Sequence, residues 1–527
     1  MKICEWWNQR WKKNLEGRVA DHYLLRQMTS HTVLAFCYGL FLFLYEVKFA
    51  RDIVSPLHPL LIAWGGVLVL YDIFVRDIWK KIPHRILIFL FTVSTAVTTV
   101  LTREAGIVAG IKGMIFTLLP LYVFLPVCFS QEKTKRRNTL ILSFLGASVV
   151  LLAASLAALG CYAIRFGGYV RIGPMREFVG MRFYIPTDPT TGILLYGFYV
   201  DTNHAAMFAL AFAAYGIFLF VSGRKGFFDR KWKNIGASLF GIVSAAVQLC
   251  YFPMANSRAG WLALLIGAFA VVFFAGYCDW FVCKEKMPKF FLSCLAAAAA
   301  AVFVFFGMQA LRGGVARLPE LTDRVIAGIQ AVHIPGVSGQ EGSMETSTEP
   351  TKVPSESEEG KHHSDMQLAD TGDVSEIYFD KSQVSADGSR LLIWKEVLQL
   401  FAKKPVFGTA PSGNQYYAQK YQIGLLKIGN GSAVHNSFLD LLLDYGIVGF
   451  ALCMVFWGMC AFSVLCDSFK RKDRKNLPWF VSVFIIIVTL CGSVTLSCTF
   501  INTTAMYFLM IITASYLLAD IQEMQER

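Results

Sequence analysis

Three cation-capable side chains in this sequence share an unusual setting. Arg258 follows Asn256 and Ser257, Arg390 follows Ser389, and His435, followed by Asn436, opens the helix before Gly446. Asn and Ser are preferred N-cap residues, so the spacing predicts each cation in a first helical turn. The helix macrodipole disfavours a cation there by roughly 0.3 to 1 kcal/mol. A bound polyphosphate reverses the sign of that penalty, because free N–H groups at helix starts attract anions and an arginine strengthens the site. A further group lies between about Ile164 and Asn203, where Arg165, Arg171, Arg176 and Arg182 occur without a lysine, opposed only by Glu177, Asp188 and Asp201. Arginine alone suits bidentate recognition of phosphate. The competing reading of all these cations is anchorage at lipid headgroups, which needs no ligand.

The elements that must position these groups are membrane spans. Of 527 residues 55% are hydrophobic, 14% aromatic and only 16% charged, which excludes a water-soluble enzyme. Stretches such as VLAFCYGLFLFLYEV from Val33 and FVSVFIIIVTLCGSV from Phe480 belong to apolar runs of about 17 to 25 residues, enough to cross ~30 Å of hydrocarbon. About twelve such runs, centred near residues 40, 66, 93, 120, 152, 212, 244, 268, 298, 457, 488 and 511, predict an all-α polytopic membrane protein with about twelve transmembrane helices. Longer runs of period-2 alternation are absent, so a transmembrane barrel is not the alternative.

The formal net charge of +12 would suit nucleic acid, but its placement argues otherwise. Basic residues gather in five connectors, RDIWKKIPHR from Arg76, EKTKRR from Glu132, GRKGFFDRKWK from Gly223, KEKMPK from Lys284 and KRKDRK from Lys470. That is the positive-inside pattern, so these connectors and both termini are expected in the cytoplasm. Residues 1–30 then read as a cytoplasmic amphipathic N-terminus, too long and polar for a cleaved signal peptide. Spans 1–9 occupy 31–308, a large extracytoplasmic loop between spans 9 and 10 covers 309–434, spans 10–12 occupy 435–519, and 520–527 form a cytoplasmic tail. All 13 cysteines are expected in spans or on the cytoplasmic side.

In the large loop 12 Lys and Arg face 15 Asp and Glu, so the chain's basicity lies elsewhere. Residues of about 336–380 are Ser/Glu/Thr-rich and poor in aromatics, the composition of a disordered insert. Its adjacent His362 and His363 have no third ligand beside them and make a weak metal motif. After the insert, SRLLIWKEVLQLFAKKP places Leu391, Trp394, Val397 or Leu398, and Phe401 at three- and four-residue spacing, predicting an amphipathic helix resting on the membrane domain.

NSRAGWLALLIG at 256–267, GSRLLIWKEVLQLFAKKPVFGTAPSGN at 388–414 and VHNSFLDLLLDYGIVGF at 434–450 together resemble the O-antigen ligase and polymerase superfamily of bacterial envelope glycosyltransferases. The resemblance implies functional roles for the matching Arg258, Arg390 and His435. GFYVDTNHAAMFAL from Gly197 resembles the family's Asn-containing approach to the sixth span, with Asp201 and Thr202 before Asn203 where proline is common. The implied activity is transfer of a saccharide from a polyprenyl-pyrophosphate carrier to an acceptor hydroxyl, on a lipid, glycan or wall polymer, at the outer face of a bacterial cytoplasmic membrane. Arg258 and Arg390 would hold the pyrophosphate without a metal, and His435 would be the catalytic base. Arg165, Arg171, Arg176, Arg182, Asn203 and Asn436 are candidate donor or acceptor contacts. No cofactor and no nucleic-acid partner is expected. Asp440 and Asp444 lie about 140° and 180° round the helix from His435, so a carboxylate orienting it must come from elsewhere. The alternative is a lipid-linked saccharide flippase or other transporter, which usually carries ionisable residues or broken helices at mid-span.

Overall fold

The structure is a computed structural model of the chain. It describes residues 12–13, 16–17, 19, 21–129, 131–172, 175–185, 193–281, 286–331, 378–380, 386–411, 413–424, 434–470, 477–496, 498–500 and 504–526. Most of the expected N-terminal amphipathic segment and nearly all of the insert, with His362 and His363, lie outside them.

The protein is an all-α polytopic membrane protein carrying one small sheet. Among the described residues ten helices are long and apolar enough to cross a membrane, and two apolar helices are shorter. In chain order they are α1 (His31–Tyr45, short), α2 (Ala50–Arg76), α3 (Arg85–Leu101, short), α4 (Ile107–Cys128), α5 (Lys133–Ala163), α6 (Thr202–Arg224), α7 (Lys231–Ala255), α8 (Arg258–Cys278) and α9 (Lys286–Val315). After α10 (Leu318–Ala331), α11 (Ala386–Phe401) and α12 (Asn414–Lys420) come α13 (Ser437–Lys470), α14 (Leu477–Thr495) and α15 (Ala505–Glu526). Each of the twelve centres read from sequence falls in one of the apolar helices. The last, α15, is buried along nearly its whole length and forms the axis of the bundle. Phe508 on it packs edge-on against Phe124 of α4 and Phe144 of α5.

Up-and-down connection of these helices separates two ends. One end gathers the basic connectors at 76–85, 132–137 and 223–233. There buried Arg136 pairs with Asp520 (3.5 Å) and Glu523 of α15, and Arg137 donates to the Phe227 carbonyl (3.2 Å). His31 meets buried Asp72 at 2.6 Å, closing α1 on α2.

The other end carries the sheet, and the sequence reading had missed it. Between α5 and α6, β1 (Gly167–Ile172) pairs antiparallel with β2 (Met175–Ile185), which pairs antiparallel with β3 (Ile193–Gly197) across an irregularity at Gly180/Met181. The short β4 (Tyr378–Asp380), at the edge of the expected disordered insert, joins β2 in parallel. In β2 the run Phe178–Met181 is buried, joined by Leu195 of β3, while Arg176 stays exposed, and the sheet is too small to be a transmembrane barrel. Gly197 (φ 56°) closes the sheet on α5, where a Cβ would meet that of Ala158 at 2.2 Å.

A second departure is in α13, which is broken at Gly446 (φ 63°, ψ −171°). The segment after α11 fills the break. Ile447 and Val448 N–H groups donate to the carbonyls of Pro405 (2.8 Å) and Val406 (3.2 Å), and Ala410 N–H donates to that of Asp444 (2.8 Å). Residues 447–469 alone still exceed the ~20 that a span needs, so the break marks where the span begins rather than its middle.

Two local expectations change as well. In α11 Trp394, Val397 and Phe401 of the expected stripe face inward, joined by Ile393 and Leu400, while Leu391 and Leu398 are exposed. Cys498 lies in the α14–α15 connector at the sheet end, not in a span or on the basic side.

Candidate functional site

At the sheet end three helices begin side by side, and each start is capped by a side chain. Asp201 caps α6, its Oδ1 accepting from the backbone N–H groups of Asn203 (2.7 Å) and His204 (3.0 Å). Ser257 caps α8, its Oγ accepting from Gly260 N–H (3.2 Å), and the same hydroxyl donates to Asn203 Oδ1 (3.0 Å). Asn436 caps α13, its Oδ1 accepting from Phe438 and Leu439 N–H (3.0 Å each) while its Nδ2 donates to the Val494 carbonyl (3.1 Å). Ser437 Oγ locks that start to the α14–α15 connector by donating to the Leu496 carbonyl (2.7 Å) and accepting from Cys498 N–H (2.9 Å). The positive dipole ends of three capped helices therefore converge on one region.

Arg258 is the first residue of α8, as its sequence setting predicts, and its side chain is exposed. Asn256 before it takes the left-handed conformation (φ 51°), which asparagine tolerates. The other two cations differ from the N-terminal placement expected of them. α11 begins at Ala386, so Ser389 is inside the helix and half-buried Arg390 sits in its second turn. His435 lies outside α13, because the capping residue is Asn436, which follows it. His435 is itself left-handed (φ 54°), a strained state for histidine that the fixed turn at Asn436 and Ser437 imposes.

α11 reaches His435 through Trp394, whose Nε1 donates to the Val434 carbonyl (3.0 Å), and Arg390 is one turn earlier on that face. The electrostatics record the outcome. Burial holds the His435 pKa below the ordinary 6.5, nearby Arg390 lowers it further, Asp201 opposes the shift and His204 adds to it. At neutral pH the imidazole is uncharged, with a guanidinium as neighbour.

His204 and Glu46 were missed by the sequence reading. His204 Nδ1 lies 3.3 Å from Glu46 Oε2 across a separation of 158 residues. The clue available was DTNH, a histidine just inside an Asp-capped helix start; nothing comparable marks Glu46 at the end of α1.

The remaining candidates divide. Asn203 joins the cluster as the bridge between α6 and α8, and Asn436 contributes by holding the turn. Arg165 does not join it: its guanidinium makes a bidentate pair with Asp323 of α10 (3.1 and 2.8 Å). Arg171 and Arg176 are cross-strand partners in β1 and β2, and Arg182 stacks on Phe178 at 4.2 Å, all on the sheet. Asp444 accepts from Asn414 Nδ2 (2.8 Å). Among the described residues no group of three or more His, Cys, Asp or Glu is placed to hold a metal ion.

Fold and site define a polytopic membrane protein with a cluster of capped helix starts, two arginines and a histidine at one end of its bundle. The family described as O-antigen ligase matches residues 243–454, a stretch that contains Arg258, Arg390 and His435. Over that stretch the chain is similar to the O-antigen ligase family, which supports a relationship to the O-antigen ligase and polymerase superfamily of bacterial membrane proteins. No curated protein matches the chain.

Proposed function

We propose that the chain transfers a saccharide from a polyprenyl-pyrophosphate carrier to an acceptor hydroxyl at the extracytoplasmic face of the bacterial cytoplasmic membrane. His435 takes the acceptor's proton and the acceptor oxygen bonds to the anomeric carbon. The anomeric C–O bond to pyrophosphate breaks, its electron pair leaving with the polyprenyl pyrophosphate. Arg258 and Arg390 face the charge that develops on that leaving group, a role two guanidinium groups fill without a metal. The observation that carries this reading is a neutral, half-buried His435 beside Arg390, where capped helix starts converge.

The decisive variant is His435→Ala. If His435 is the base, the variant binds the polyprenyl-pyrophosphate sugar as the parent does and transfers it ~10²- to 10⁴-fold more slowly in a single turnover. Weakened donor binding with an unchanged rate for bound donor would make His435 a phosphate ligand instead. Movement of lipid-linked saccharide across vesicles with no glycosidic bond formed would identify a transporter.

A further inference from the structure

A pocket of about 340 Å³ opens between the α1–α2 connector and the sheet, within the size range of small-molecule sites. Lys48, Arg51, Arg176 and Arg182 line it against only Glu177 and Asp52. Each cation is laid on an aromatic ring. Arg176 stacks on Tyr169 (4.7 Å), Arg182 on Phe178 (4.2 Å) and Tyr196 (5.4 Å), Arg51 on Tyr45 (4.8 Å), and Lys48 lies 5.1 Å from the Tyr196 centroid. A stacked guanidinium is held in orientation with its N–H edge available for a carboxylate or phosphate. The buried Nε of Arg182 has no hydrogen-bond partner among the described residues.

Lys48 is an unusual group to bury. It is 9% exposed and donates to the Phe178 carbonyl. Burial brings its pKa down to about 8, Glu177 resisting and Arg182 adding to the shift. An anion in the pocket would offset the crowding of these cations.

The pocket adjoins the candidate site through the backbone. Lys48 N–H donates to the Phe198 carbonyl (2.7 Å) and Val200 N–H to that of Glu46 (3.1 Å). Val200 lines the pocket, Asp201 after it caps α6, and Glu46 pairs with His204.

We propose that this pocket binds an anionic sugar residue of the acceptor glycan, its carboxylate or phosphate set against Arg176, Arg182 and Lys48. The identity of the ligand as part of an acceptor rests on the transferase reading above. A phospholipid headgroup offers the same phosphate, but Glu177 and Asp52 favour a sugar, whose hydroxyl groups can donate to them.

Calorimetric titration of the full chain in detergent, without donor, tests this. The probes are a glucuronate-containing disaccharide, a phosphorylated disaccharide and their neutral counterpart. At least one acidic probe is expected to bind about tenfold more tightly than the neutral one, and Arg176→Gln and Arg182→Gln each to remove about that factor. Should neither acidic probe be preferred, or should preference survive both substitutions, the proposal is wrong. An unfolding scan of each variant separates lost binding from lost fold. Native mass spectrometry after reconstitution with phosphatidylglycerol examines the lipid source. Variants that shed this lipid while keeping their saccharide affinity would make the pocket a headgroup site and overturn the proposal. His435→Ala is expected to bind the acidic probe as the parent does, so failure of the catalytic reading and failure of this one give different results.

Discussion

His435 titrates between neighbours of opposite effect, and that makes its role checkable through pH. Since burial and Arg390 hold its pKa below 6.5, transfer should be flat near neutrality and fall on the acid side, as the imidazole takes the proton it would otherwise accept. Asp201→Asn keeps an equally good N-cap but removes the one charge that raises this pKa, so the acid limb should move to lower pH. Arg390→Gln should move it the other way. Limbs that do not move would mean that another group governs the profile. For the arginines, Arg258→Lys and Arg390→Lys keep charge but lose the planar fork, and each should lose roughly 2 to 4 kcal/mol of transition-state stabilisation by analogy with an oxyanion donor. Lysine variants working at the parent rate would reduce both arginines to point charges. Arg258 was legible because a cation at a helix start contradicts the macrodipole, whereas Arg390 in the second turn of α11 and His435 before the cap of α13 do not have the placement from which they were read. The partners were not legible: Glu46 and His204 acquire meaning only when the α1–α2 connector lies against the start of α6, a contact no local pattern announces.

Helices were legible because apolar length decides them, while the elements joining them depend on contacts that single-segment patterns do not contain. The Gly446 break is such a case. Gly446 and Gly408 approach so closely that a Cβ on Gly446 would lie 2.3 Å from the Val406 carbonyl oxygen and 2.6 Å from Gly408 N. Gly446 also needs positive φ, so Gly446→Ala should lower stability by at least ~1 to 2 kcal/mol, seen as a lower unfolding temperature in detergent. Gly458, on the same helix with nothing within 4 Å of a Cβ, supplies the control: Gly458→Ala should be neutral or stabilising by up to ~1 kcal/mol. Equal effects at the two positions would refute the packed break. At the opposite end, Arg136 is 4% exposed between Asp520 and Glu523. It read in sequence as one more basic connector residue. Arg136→Ala would strip a buried carboxylate of its guanidinium, a loss of about 3 to 5 kcal/mol for buried pairs. The sheet was overlooked because its strands carry no clean alternation and lie in a segment whose arginines drew the reading towards a loop.

At the scale of the whole molecule, the separation of charge is the feature that ties fold to chemistry. The basic connectors at 76–85, 132–137 and 223–233 fall at one end of the bundle, while the sheet, the capped starts of α6, α8 and α13, and His435 fall at the other. The positive-inside bias predicts the basic end in the cytoplasm, the orientation on which the proposed function rests. The sheet-end arginines defy that bias, which suits groups retained for an anionic ligand rather than for orientation. A lipid-linked donor presented outside can be used only if His435 and Arg390 share that compartment. Single-cysteine labelling in intact cells, in a background lacking the native cysteines, reads this directly: Gly388→Cys, two residues from Arg390, should react with an impermeant maleimide added outside. Lys135→Cys, at the exposed start of α5, should react only after the membrane is opened. Labelling of Gly388→Cys only in opened cells would place the helix starts against the cytoplasm, and the proposed chemistry on an extracytoplasmic donor would then have no site.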